Sequence, residues 1–178
     1  IVTFDEMAAF HQVFQIPEGE ERNVARLFDL AKQDTAGFES YAAQIERLCG
    51  SGHDNCPAME DILDGLFHIA KADGAIHDAE LGFLNATAAA FKIDDSHYQT
   101  ILARHGASGE PDPYRVLGIK RGASLEEARK VWRDLVRENH PDVLTGRGVP
   151  DEFIAIATER LKTINRAWKT LQAQLEPA

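Results

Sequence analysis

Residues 129–142 read RKVWRDLVRENHPD, and this stretch organises everything around it. A basic, amphipathic run leads directly into His140-Pro141-Asp142. Proline has no backbone N–H, fixes its own φ and disfavours the α conformation in the residue before it. The helix is therefore expected to end at about Asn139, leaving His140 and Asp142 on a stiff, exposed corner. A fixed corner beside a cationic helix suits docking on another protein.

Working outward, Ser124-Leu125-Glu126-Glu127 reads as a capping box that opens this helix. Leu125, Ala128, Val131, Trp132, Leu135 and Val136 form its apolar stripe. Arg129, Arg133 and Arg137 recur every four residues on another face, with Lys130 beside them. Thr145–Pro150 reads as a loop with two glycines, and Pro150 opens a second long helix. That helix carries Phe153, Ile156, Ala157, Leu161, Ile164, Ala167, Trp168 and Leu171 inward. Two such stripes predict an antiparallel helical hairpin with the loop at its tip. Upstream, a short helix begins near Pro113, with Tyr114 and Leu117 packing on the hairpin.

Asp112-Pro113-Tyr114-Arg115-Val116-Leu117-Gly118, the His140-Pro141-Asp142 tripeptide and the segment Ile164-Asn165-Arg166-Ala167-Trp168 together resemble a J domain over roughly 111–174. J domains are the DnaJ-type modules that activate DnaK-type chaperone ATPases. The resemblance implies that His140, Pro141 and Asp142 are essential for activating the partner, with Asp142 pairing with a partner arginine. It implies that Arg129, Lys130, Arg133 and Arg137 contact the acidic side of the chaperone's nucleotide-binding domain. Trp132 and Trp168 stand where the family usually has tyrosine, and Val143 where lysine is common. No Gly/Phe-rich stretch and no zinc-type cysteine repeat follows, so the client-binding parts of full DnaJ proteins are missing.

The residues before the hairpin differ in charge. Over 1–110 there are 7 Lys+Arg against 19 Asp+Glu; over 111–178 there are 12 against 10. An acidic first domain argues against nucleic acid, whose phosphates attract Lys and Arg. The pattern is helical throughout, with no sustained alternation of the strand type. Thr3-Phe4-Asp5-Glu6 reads as a capping box, and helices are expected over 20–33, 38–48, from Pro57 to Ala70, from Asp78, and over 96–105 capped by Asp94 or Asp95. The helix with Met59, Ile62, Leu63, Leu66, Ile69 and Ala70 is the most hydrophobic and is expected to be central. The order apolar, polar cap, two residues, Glu, apolar in Val2–Met7 returns in Ile76–Leu81, which reads as an internal helical repeat.

Ala70, Asp73, Gly74, Ile76 and Glu80 match an Ala-x-x-Asp-Gly-x-Ile-x-x-x-Glu pattern, and this segment resembles the TerB-like helical domain. A TerB-like domain followed by a J domain resembles the DjlA family of membrane-anchored bacterial co-chaperones. In that family a single transmembrane helix precedes the first domain. The start at Ile1 reads as a fragment or processed chain. No run of about 18 apolar residues exists here, so membrane contact is expected only through a segment absent from this chain. The resemblance implies the cytosolic face of the bacterial inner membrane, and otherwise the cytoplasm.

The expectation is an all-α chain: an acidic TerB-like bundle over 1–105, a linker over 106–112 and a J-domain hairpin over 113–176. Its function is that of a co-chaperone for a DnaK-type ATPase, with no catalysis or cofactor of its own. His140 and Asp142 have no nucleophile or preformed pocket suggested beside them, which argues against a hydrolytic dyad. A client, a regulatory partner or a second copy of the chain could bind the acidic domain. Two other readings stand: a binding scaffold with an inactive J-like module, to which Val143 and the two tryptophans point, and a cation-binding stress module using Asp73, Asp78 and Glu80. The last segment is not an EF-hand loop, and its residues read more simply as turn and cap. Cys49 and Cys56 read as reduced thiols, with a bridge between them open if their Cα atoms come close, and His53 with them lacks a fourth metal ligand.

Overall fold

The computed structural model describes residues 8, 10–11, 16–20, 22–24, 26, 37–48, 54–72, 74–106 and 112–176, apart from the side chain of Glu152. The capping box at Thr3–Glu6, most of the expected helix over 20–33, Asp73, Cys49, His53 and most of the linker lie outside them. Every regular element among the described residues is a helix, as expected for an all-α chain. The order is α1 (Phe38–Leu48), α2 (Pro57–Ala70), α3 (Asp78–Ala90), α4 (Asp95–Arg104), α5 (Pro113–Leu117), α6 (Leu125–Glu138), α7 (Pro141–Gly146) and α8 (Asp151–Leu175). Two compact units divide the chain, Ile1–Asp94 and Asp95–Ala178.

In the first unit α3 packs on α1 and α2. The buried stripe of α2 is Met59, Leu63, Phe67 and Ala70. The sequence pattern does not mark Phe67, yet it is fully buried, while Leu66 is only half-buried. The stripe follows a spacing of four, four and three, which turns Leu66 toward its edge. Leu84 and Ala88 of α3 are buried, and Phe83 rests on Phe38 of α1 with ring centroids 4.8 Å apart. Asn55 clasps the end of α3 to the start of α2. Its Nδ2 donates to Asp94 Oδ2 at 2.6 Å, and its Oδ1 accepts from Asp94 N at 2.9 Å. Lys92 adds an ion pair to Glu46 at 2.9 Å.

Cys56, at the entrance to α2, is disulfide-bonded, which corrects the expectation of reduced thiols. Cys49 is the only other cysteine in the sequence.

The second unit is built around the hairpin of α6 and α8. Val116, Leu117, Ala128, Ile164, Ala167, Trp168 and Leu171 share one core with Ala103 of α4. Tyr114, Leu125, Trp132 and Leu135 pack at its margin. The Leu117-Gly118 step has a physical reason. Asp112 caps α5, its Oδ1 accepting from Tyr114 N at 3.2 Å, and Gly118 closes it in the left-handed region at φ 67°. A Cβ at Gly118 would meet the Thr100 hydroxyl at 3.5 Å, an ordinary contact, so the left-handed backbone alone is what favours glycine here. Arg104 Nε donates to the Val116 carbonyl at 3.2 Å. The last helix before the linker thus packs with the residues that follow it.

Candidate functional site

The expected capping box forms at the start of α6. Ser124 Oγ accepts from Glu127 N at 3.2 Å, and Glu127 Oε2 accepts from Ser124 N at 2.8 Å. The two bonds that Ser124 donates to this carboxyl, from its N–H and from Oγ at 2.8 Å, hold it below its ordinary pKa, the backbone N–H contributing most. From this fixed start the arginines fall on one face. Lys130, Arg133 and Arg137 are exposed and Arg129 is half-buried. Arg137 is tied to Asp134 on the same helix at 2.6 Å. Among the described residues Arg129, Lys130 and Arg133 make no ion pair. Asp134 is absent from the residues the sequence pattern marks, although its spacing of three from Arg137 is the signal.

The helix ends where Pro141 predicts, with Asn139 as its C-cap residue. His140 is extended at φ −70°, ψ 130°, and becomes the N-cap of α7. The corner is therefore a junction of two helices. This corrects the expectation of a loop over Thr145–Pro150, because Thr145 and Gly146 belong to α7. Pro141 at the first helical position costs no hydrogen bond there and pre-sets φ, so the residue that ends α6 also starts α7. His140 Nδ1 accepts from Asp142 N at 3.3 Å, leaving Nε2 as the outward ring atom. The His140 carbonyl accepts from Val143 N at 3.0 Å and Leu144 N at 3.1 Å. The His140 and Asp142 side chains are 48% and 91% exposed, and Leu144 is buried beneath them. Asp142 Oδ2 lies 3.7 Å from His140 Nδ1, too far for a short charge-assisted bond, so the carboxylate is open to a partner.

Comparison with known proteins divides the chain in the same order. A family described as "Tellurite resistance protein TerB" matches residues 1–103, and one described as "DnaJ domain" matches residues 112–176. The chain belongs to the DjlA-like family of TerB-plus-J-domain proteins. Relatives named co-chaperone protein DjlA include that of Photobacterium profundum, 25% identical over 88% of this chain and 64% of its own length. That of Coxiella burnetii is 24% identical over 96% of this chain and 70% of its own. That of Vibrio vulnificus is 33% identical over 88% of this chain and 65% of its own. The chain thus spans about two thirds of these relatives, and less of the first. No solved structure matches it.

In the TerB domain one of the candidate cation ligands has another task. Glu80 Oε2 accepts from His77 N at 2.8 Å, a capping role at the start of α3, and Asp73 lies outside the described residues. Among the described residues no cluster of His, Cys, Asp and Glu could hold a metal ion. Also among them, no helix is long and apolar enough to cross a membrane.

Proposed function

We propose that this J domain docks on a DnaK-type chaperone and accelerates its ATP hydrolysis, hydrolysing nothing itself. The observation that carries the reading is the corner at the end of α6. Asp142 is nearly fully exposed, and a face with three cations free of ion pairs among the described residues leads up to it. Arg129, Lys130, Arg133 and Arg137 steer and orient an acidic partner surface, and His140-Pro141-Asp142 makes the contact that activates it. The J domain proper is 113–176, and an acidic module over 1–105, joined through 106–112, takes a client, a regulator or a second copy. In the whole protein this chain acts on the cytosolic face of the bacterial inner membrane.

Single-turnover ATP hydrolysis by a DnaK-type chaperone tests this. The chain accelerates it, and the His140→Gln variant does not. Equal stimulation by the variant would remove the corner from the mechanism. Absence of stimulation by the folded native chain would leave a binding scaffold in place of a co-chaperone.

A further inference from the structure

Between exposed Glu138 and exposed His140, Asn139 turns inward and is only 7% exposed. Its amide is used on both sides. Nδ2 donates to the Leu135 carbonyl at 2.8 Å, and Oδ1 accepts from Arg160 Nη1 at 2.9 Å. Arg160 lies on α8, so this amide joins the last turn of one hairpin arm to the middle of the other.

The backbone alone holds the corner weakly. The one backbone bond that His140 donates, to the Arg137 carbonyl, is 3.5 Å long, at the outer edge of hydrogen-bond range. The two Asn139 bonds are of ordinary length and part-buried, and a charged donor strengthens the second. On the far side Leu144 is buried at 7% exposure. The His140-Pro141-Asp142 corner is therefore pinned at both ends, and the upstream pin is a side-chain lock. Asparagine suits it because one end must donate and the other accept. Aspartate cannot donate to Leu135, and an apolar residue does neither.

We propose that Asn139 and Arg160 are positioning residues that set how His140-Pro141-Asp142 is presented to the partner ATPase. The assignment of a partner rests on the docking reading above; the lock itself rests on the geometry.

The test uses Asn139→Ala, Arg160→Met and the double variant in the full chain. Maximal stimulation of the chaperone ATPase falls about tenfold in each single variant, the scale expected when a contact group is displaced by a fraction of an ångström. The half-saturating concentration barely moves, because the cationic face is untouched. The double variant is no worse than either single one, since both break the same bond. Arg160→Lys, which keeps the charge and one donor, recovers part of the loss and serves if a truncation fails to fold. Amide exchange at Val143 and Leu144, which donate to the His140 carbonyl, quickens in the same variants. Full stimulation by folded single variants, or additive losses, would overturn the positioning role. If the native chain stimulates nothing, the docking reading fails, and the exchange rates alone decide the lock: unchanged protection would overturn it.

Discussion

Trp132 of α6 and Trp168 of α8 lie face to face, ring centroids 5.0 Å apart and planes 11° from parallel. Trp168 belongs to the buried core, whereas Trp132 is half-buried at its margin and donates from Nε1 to Asn165 Oδ1 at 2.9 Å. The stack ties the two arms of the hairpin above the core, and such pairs contribute about 0.5–1.5 kcal/mol beyond their buried area. These are the only two tryptophans in the sequence, so indole fluorescence reports on the second unit alone.

The two rings should differ in cost. Trp168→Ala empties a core position and is expected to destabilise the second unit by about 3–5 kcal/mol. Trp132→Phe keeps an aromatic face but removes the donor to Asn165. Water reaches that edge, so the loss should be about 1 kcal/mol. Urea unfolding followed by the remaining indole measures both. Equal costs would mean that the stack, rather than core burial, sets the stability.

Ala103 of α4 is 3% exposed and shares the core of α5, α6 and α8. Ala103→Glu places a carboxylate where no partner awaits it, at a cost of several kcal/mol. The indole-reported transition should move to markedly lower urea, although both tryptophans lie far along the chain from residue 103. An unchanged midpoint would separate α4 from the J unit.

That packing is the part of the fold least legible in the sequence. The J-domain helices can be read because Pro113, Gly118, Ser124 and Pro141 each act on their immediate neighbours, where local chemistry suffices. Asn139 and Arg160 sit 21 residues apart, and no local rule joins them. Helix α4 can be assigned only by what it touches, since its apolar residues fit either side of the linker. Phe67 is hidden for a simpler reason: α2 is apolar on so many sides that its buried stripe is blurred. The short helix α7 escapes because six residues carry too little periodicity, although Pro141 is already its start signal.

The capping box gives a pH dependence with a defined sign. Bonds from Ser124 lower the Glu127 pKa in the folded chain from its ordinary 4.5. A lowered carboxyl pKa contributes stability that is fully present above the unfolded value and is lost as pH falls through the folded one. The stability gap between the native chain and Glu127→Gln should therefore be constant near neutrality. It should shrink as pH drops below about 4.5. Glutamine still accepts from Ser124 N, so the gap isolates the charge. Ser124→Ala, by contrast, should cost about 1 kcal/mol at neutral pH through loss of the cap itself. A gap that widens on acidification would mean that the carboxylate is not held by these bonds.

The cations of α6 are unequal before any partner arrives. Arg137 is already paired with Asp134 at 2.6 Å, and Arg133, on the same face, makes no ion pair among the described residues. Docking an acidic surface on Arg137 must compete with that contact; docking on Arg133 need not. Arg133→Ala should therefore weaken association with the chaperone more than Arg137→Ala. Exposed pairs are worth about 0.2–1 kcal/mol each, so the loss at Arg133 should be roughly 1.5- to 5-fold in half-saturating concentration. Removing Asp134 should abolish the difference, because Arg137 is then released: Asp134→Asn strengthens association and makes Arg137→Ala as costly as Arg133→Ala. Raising salt from about 0.05 to about 0.3 M should compress all these differences, since the screening length drops below about 10 Å over that range. Titration of ATPase stimulation at two salt concentrations reads both effects. Equal losses for the two arginines at low salt would show that the Asp134 contact opens at no cost when the partner docks.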